Sequence, residues 1–161
     1  MGGEDDRSPI DLVAPLRNKV FGVLVSAVTF HEDRILLLQR SMDQKFKPGA
    51  WSIPAGKIQP REGSLEEAVR RELFEEAGIK GKVRYSLGMC WFESEYYEQP
   101  LHHIQFNFAV QAYDSHVVLL DRSNMAFRWI AVDEMTQPPV PIDDFTLNVI
   151  HQAIACVRAE R

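Results

Sequence analysis

WSIPAGKIQPREGSLEEAVRRELFEEAGIK, residues 51–80, is the stretch around which the rest of the chain is read. Its centre is Arg71-Glu72-Leu73-Phe74-Glu75-Glu76-Ala77-Gly78-Ile79. On an α-helix turning roughly 100° per residue, Glu72, Glu75 and Glu76 fall within an arc of about 100°. Leu65, Val69 and Leu73 make the apolar stripe of the same helix, and Glu76 points only about 20° from Leu65 and Val69. An ordinary amphipathic helix keeps its acids away from the stripe it buries. Carboxylates massed beside a buried face repel one another and lose hydration, so they need a counter-charge. Arg71 can bridge Glu75 at i,i+4 but is not expected to serve three acids. Divalent cations can, and hard oxygen donors suit Mg²⁺ or Mn²⁺. The plain alternative is a solvated acidic helix laced with arginine pairs.

The wider pattern decides between these. The stretch resembles the Nudix box: Gly, five residues, Glu, seven residues, then Arg-Glu-aliphatic-any-Glu-Glu-any-Gly-aliphatic. Arg71 to Ile79 match every specified position, and Gly56 and Glu62 supply the first half. The departure is one residue: eight, Gly63 to Arg70, separate Glu62 from Arg71. Gly63 reads as an extra loop residue ahead of Ser64, and Ser64 with Glu67 has the form of a capping box that starts the helix. An insertion before the cap leaves the register of the three glutamates intact but loosens the placement of Glu62.

The chain has 161 residues, 45% of them hydrophobic, which suits one well-packed domain. We expect a loose, polar N-terminal arm over residues 1–17 and a single domain over 18–161. A net charge of −5 gives no basic field for wrapping a nucleic acid polymer, so the expected partner is a small phosphorylated nucleotide. No apolar run reaches membrane-spanning length, and the N-terminus has neither a basic leader nor an apolar core for export. Cys90 and Cys156 are far apart and lack metal-ligand spacing, which fits reduced thiols in a cytoplasmic protein. A homodimer is compatible with the sequence, which does not specify it.

Along the chain, Phe21–Phe30 reads as a buried strand, and His31–Arg34 turns it back into Ile35–Gln39. Ser41–Ala50 is a polar loop. Trp51–Ile53 is a short strand stopped by Pro54, and Pro54–Gly56 leads toward the acidic helix, which ends at Gly78. Lys82–Phe92 and His102–Tyr113 are strands, with an acidic, aromatic loop over residues 93–100 between them. Phe127–Ile130 is a last strand, Val132–Met135 a helical turn, and Asp143–Arg158 a closing amphipathic helix. This order gives an α/β chain with a mixed sheet and helices on both faces. The resemblance implies the same fold, the α/β/α Nudix sandwich.

The resemblance also implies roles. Glu72, Glu75 and Glu76 would hold Mg²⁺, with Mn²⁺ as a substitute, and Glu72 would be placed to act as a base. Arg71 would orient Glu75. The carbonyl of Ala55 would be a further ligand, and Gly56 would keep its turn uncrowded. A further acid found in many relatives before the residue matching Trp129 is replaced here by Arg122-Ser123-Asn124-Met125, with Asp121 nearest. Glu93, Glu95 and Glu98 are alternatives from the earlier loop.

Substrate contacts are sought at Gly56, Glu62, His103, Arg40 and Tyr96. Alternation from His102 places His103, Gln105, Asn107 and Gln111 on one face, either a substrate cleft or a wet outer face. Arg40, Lys45 and Lys47 could meet distal phosphates, and Tyr96, Tyr97, Trp91 and Phe92 could stack on a base. The expected activity is that of a MutT-like, Mg²⁺-dependent pyrophosphohydrolase cleaving a nucleoside diphosphate linked to a moiety X. A nucleoside triphosphate or nucleotide sugar is the preferred substrate. A Nudix-fold module that senses a nucleotide without cleaving it is the alternative, and the complete glutamate triad argues against it.

Overall fold

In the computed structural model, residues 21–96 and 99–160 are described. The expected arm over residues 1–17, Tyr97, Glu98, and the side chains of Glu95 and Tyr96 lie outside what is described. The elements in chain order are β1 (Phe21–His31), β2 (Arg34–Arg40), β3 (Trp51–Ser52), β4 (Ala55–Lys57), α1 (Leu65–Ala77), β5 (Gly81–Tyr96), β6 (Gln99–Ala112), β7 (Asn124–Ala131), a 3₁₀ turn (Val132–Thr136) and α2 (Asp144–Arg158). The strands form a sheet ordered β3-β2-β1-β6-β5, with β4 added against β1 and β7 against β2. Among these described strands β1 and β6 run parallel, in register from Phe21↔His102 to Phe30↔Gln111, and the other pairs are antiparallel. The mixed sheet expected from the irregular interleaving is the one observed.

Strand alternation sorts the core into two layers. Val25, Ala27, Leu36, Leu38, Phe108 and Val110 pack on Ala68, Val69, Leu73 and Ala77 of α1. Val28, Phe30, Ile35, Leu37 and Ala109 pack on Val149, Ile150, Ala153 and Ile154 of α2. Fully burying a side chain such as Leu73 or Ile150 contributes about 1.5–3 kcal/mol, so these layers fix both helices to the sheet.

Two readings of the connecting segments are corrected. Ala55–Lys57, expected only to lead into the helix, is strand β4, with Val25↔Gly56 and Ser26↔Ala55 in register. It forms beyond Pro54 because that residue needs only its carbonyl, which accepts from Ala27 N at 2.9 Å. The loop expected over 93–100 is largely strand: β5 continues to Tyr96 and β6 begins at Gln99, paired through Glu93↔His102 and Glu95↔Pro100. Cross-strand pairing overrode the polar composition of that segment.

Candidate metal and phosphate site

Helix α1 begins where the Ser-x-x-Glu pattern places it. Ser64 Oγ accepts from Glu67 N at 3.1 Å, while Glu67 Oε2 accepts from Gly63 N at 2.9 Å. The extra residue is thus tied into the cap, and its N–H takes the place that the Ser64 N–H holds in a standard capping box. At the other end Gly78 closes the helix with φ +67° and donates its N–H to Phe74 O at 2.8 Å. Between these caps the register is uninterrupted, and Glu72, Glu75 and Glu76 emerge on one side.

Arg71 does serve three acids, contrary to expectation, though not the expected three. Its Nε and Nη2 bond Glu62, and its Nη1 bonds Glu72 Oε1 at 2.7 Å and Glu75 Oε2 at 2.9 Å. Nη2 also donates to the carbonyl of Lys57 at 3.0 Å. One planar fork therefore ties helix α1 to β4 and to the turn at residues 59–62. Glu62 further accepts from Gln59 N at 2.7 Å, so despite the insertion it sits against the helix as a partner of Arg71. The Arg71 bond, first of all, holds the Glu62 carboxyl below its usual range, and Glu62 in turn holds the Arg71 guanidinium firmly charged.

Glu72 and Glu76 face β4. Gly56 is opposite Val25, a member of the α1 layer, so position 56 looks toward the helix. A Cβ there would overlap the Glu72 carboxylate. Glu76 Oε2 accepts from Ala55 N at 3.3 Å. Burial raises the Glu72 carboxyl above its ordinary value against the opposing pull of Arg71. Burial pushes Glu76 further, to about 8, and the Glu72 charge adds to it. Asp121 also raises Glu76 and Arg40 lowers it, so both charges lie within reach of this pocket. Among the described residues no three His, Cys, Asp or Glu side chains converge on a common point as placed. Glu72 and Glu75 instead share Arg71, so binding an ion between them requires exchanging part of that bond. The donor set itself suits a hard cation: Glu72 and Glu75 share one guanidinium nitrogen, and the buried Glu76 accepts from a backbone N–H.

The surrounding residues divide clearly. Asp121 is held in its loop by Ser123, which donates from both its N–H (2.9 Å) and its hydroxyl. That loop is pinned to the end of β2 by Ser41 N to Ser123 O at 2.9 Å. Arg40 donates Nε to Phe46 O at 2.7 Å. His103 lies on the α2 face of the sheet, away from the α1 carboxylates. It bonds Ser94 Oγ through Nε2 at 2.6 Å and stacks on Phe92 at 4.9 Å. Burial first, then Lys57 and His102, lower its pKa. On the same face Ser26 Oγ and Gln105 Nε2 both donate to Asn107 Oδ1, at 2.6 and 2.7 Å, and all three residues are buried. The polar face of β6 is therefore internal at Gln105 and Asn107, while His103 and Gln111 at its two ends are half-buried. The Lys57 carbonyl and the Gln59 N–H, which complete the Arg71 and Glu62 bonds, carry no side-chain signal in the sequence.

With this geometry the chain can be set beside known proteins. The NUDIX domain family model matches residues 20–151. This chain belongs to the NUDIX family. Like this NUDIX chain over 135 residues are the NAD-capped RNA hydrolase NudC of Chromobacterium violaceum and the CTP pyrophosphohydrolase of Escherichia coli K12. NudC is 32% identical, covering 81% of this chain and 45% of its own length. The pyrophosphohydrolase is 30% identical, covering 84% and 94%. The NUDIX chain thus spans less than half of NudC. In fold it is similar to the MutT protein of Methanosarcina mazei Go1, with a TM-score of 0.67 at 24% identity, covering 88% of this chain and 98% of the other.

Proposed function

We propose that the chain is a Mg²⁺-dependent pyrophosphohydrolase that cleaves the phosphoanhydride of a nucleoside diphosphate linked to a further group, with a nucleoside triphosphate preferred over a nucleotide sugar. The observation that carries the reading is the pair Glu72 and Glu76, set on one helix side against the Ala55-Gly56 backbone with burial opposing the ionisation of both. A bound Mg²⁺, or Mn²⁺ in its place, would neutralise phosphoryl charge and acidify a water. Glu72, Glu75, Glu76 and the carbonyl of Ala55 would hold it. Arg71 fixes the orientation of Glu72 and Glu75, and Glu72 is the carboxylate placed to accept a proton. Asp121 supplies a further acid on the facing loop, and Arg40 a cation for the distal phosphates. The match to a CTP pyrophosphohydrolase over nearly its whole length supports the triphosphate preference.

No helix among the described residues is long and apolar enough to cross a membrane. The two free thiols, Cys90 and Cys156, fit a reducing cytoplasm. The deciding experiment is a panel of nucleoside triphosphates, nucleotide sugars, ADP-ribose and diadenosine polyphosphates, assayed with and without Mg²⁺. Release of nucleoside monophosphate and pyrophosphate, dependent on Mg²⁺ and abolished by Glu76→Gln, is the expected result. Tight nucleotide binding with no turnover at saturating Mg²⁺ and Mn²⁺ would move the assignment to a nucleotide sensor.

A further inference from the structure

The loop between β2 and β3 is fastened at an unexpected point. Lys47, which the sequence offered as a phosphate contact, directs its Nζ to Asp143 Oδ2 at 2.8 Å. Asp143 is the N-cap of α2: its Oδ1 accepts from Thr146 N at 2.7 Å. Lys47 reaches it with φ +45°, the left-handed region that a non-glycine residue occupies only when its surroundings insist. The following turn repeats the geometry at Gly49, φ +73°, and is closed by Ala50 N to Lys47 O and Gly49 N to Arg40 O.

The same loop holds Arg40. The Lys47 ammonium and the Arg40 guanidinium both lie over the Phe46 ring, 5.4 and 5.7 Å from its centre. Arg40 Nε donates to the Phe46 carbonyl. Phe46 is therefore gripped from one side of the sequence by Arg40 and from the other by Lys47, and Lys47 is gripped by the cap of α2. We propose that the Lys47–Asp143 pair is a strap that presets Arg40 for the substrate's phosphates, so that Lys47 and Asp143 are positioning residues. The strap holds the β2–β3 loop to a helix on the opposite face of the sheet from the carboxylates. It rests on the hydrolase reading only for the identity of the ligand that Arg40 meets.

The test uses Lys47→Met, Asp143→Asn and the double variant. Asparagine retains the capping oxygen for Thr146, so Asp143→Asn removes the charge partner without unseating α2. Amide exchange is measured first, with no nucleotide present. Faster exchange at Gly49 and Ala50 in both single variants, by about tenfold, is expected; unchanged exchange overturns the strap. Mg²⁺-dependent hydrolysis of CTP is then followed, with binding of a fluorescent mant-labelled nucleoside triphosphate as a readout independent of turnover. Both single variants are expected to raise KM and the mant-nucleotide Kd about three- to tenfold with kcat unchanged. The double variant should match either single one, since one bond is removed three ways. Additive effects, or a fall in kcat at constant KM, overturn the proposal. Wild-type protein that binds the mant nucleotide without hydrolysing CTP would count against the triphosphatase reading alone, since the strap is still read from Kd. Wild-type protein that does neither overturns the assignment of Arg40 and with it the strap's role.

Discussion

The Glu72 carboxylate occupies the space that any side chain at position 56 would need. The glycine is required here by the close approach of a charged group, and not by an unusual backbone angle. Gly56→Ala should displace Glu72 from β4 or push β4 from β1. We expect hydrolysis to fall by at least about two orders of magnitude, and the melting temperature by several degrees, as overpacking of about 1–3 kcal/mol would produce. Steady-state kinetics and a thermal melt check both; an alanine variant with wild-type kcat would remove the link between this contact and catalysis.

Burial holds the Glu76 carboxyl at about 8, with Glu72 adding to the effect. The unfolded chain releases this proton near the ordinary glutamate value, about 4.3. Between those values the folded state keeps a proton that the unfolded state has lost, so stability falls as pH rises. In EDTA, Glu76→Gln should melt higher than the wild type at pH 8, with the gap closing toward pH 5. Adding Mg²⁺ at pH 8 should raise the wild-type melting temperature more than that of the variant. A pH-independent difference between the two proteins is the contrary outcome.

Arg71 distributes its donors among Glu62, Glu72, Glu75 and the Lys57 carbonyl. A lysine keeps the charge but not the planar fork. Arg71→Lys should therefore reduce kcat/KM by about tenfold to a hundredfold and also lower the melting temperature. Adding Glu62→Gln should cost little further activity, since the two side chains act through one contact. Kinetics on the two single variants and the double variant decide this.

The helix cap gives a contrasting case. Ser64 accepts from Glu67 N but touches none of the acids facing β4. Ser64→Ala should destabilise by about 1 kcal/mol, a shift of some 2–4 °C, with kcat within twofold of wild type. A large loss of kcat would mean that fraying at the first turn reaches Glu72, two helical turns away.

Much of this architecture can be read in the residues before any coordinates. The helix from Ser64 to Gly78, its glutamate face and its apolar stripe follow from local periodicity and capping chemistry. So do the strands whose cores alternate or run apolar. What escaped was decided by non-local backbone pairing. Strand β4 is three residues with no strand signature, held by its register with Leu24–Ser26. The 93–100 segment reads as loop because Glu93, Ser94 and Pro100 are poor strand formers, yet β5 and β6 pair through it. His103 has the residue type of a ligand contact, and only the fold shows that its Nε2 meets Ser94 and its ring stacks on Phe92. Helix arithmetic gives Arg71 one acid, Glu75, because it does not see Glu62 folding back from the preceding turn.

The two apolar layers share a sheet but no side chains: Leu73 belongs to one and Ile150 to the other. Trimming a methyl group beneath α2, as in Ile150→Val, lowers global stability without disturbing the packing under the glutamates. The two halves of the interior can thus drift in sequence at separate rates, the layer that seats the chemistry held tightly and the opposite layer free to vary as long as its volume is kept.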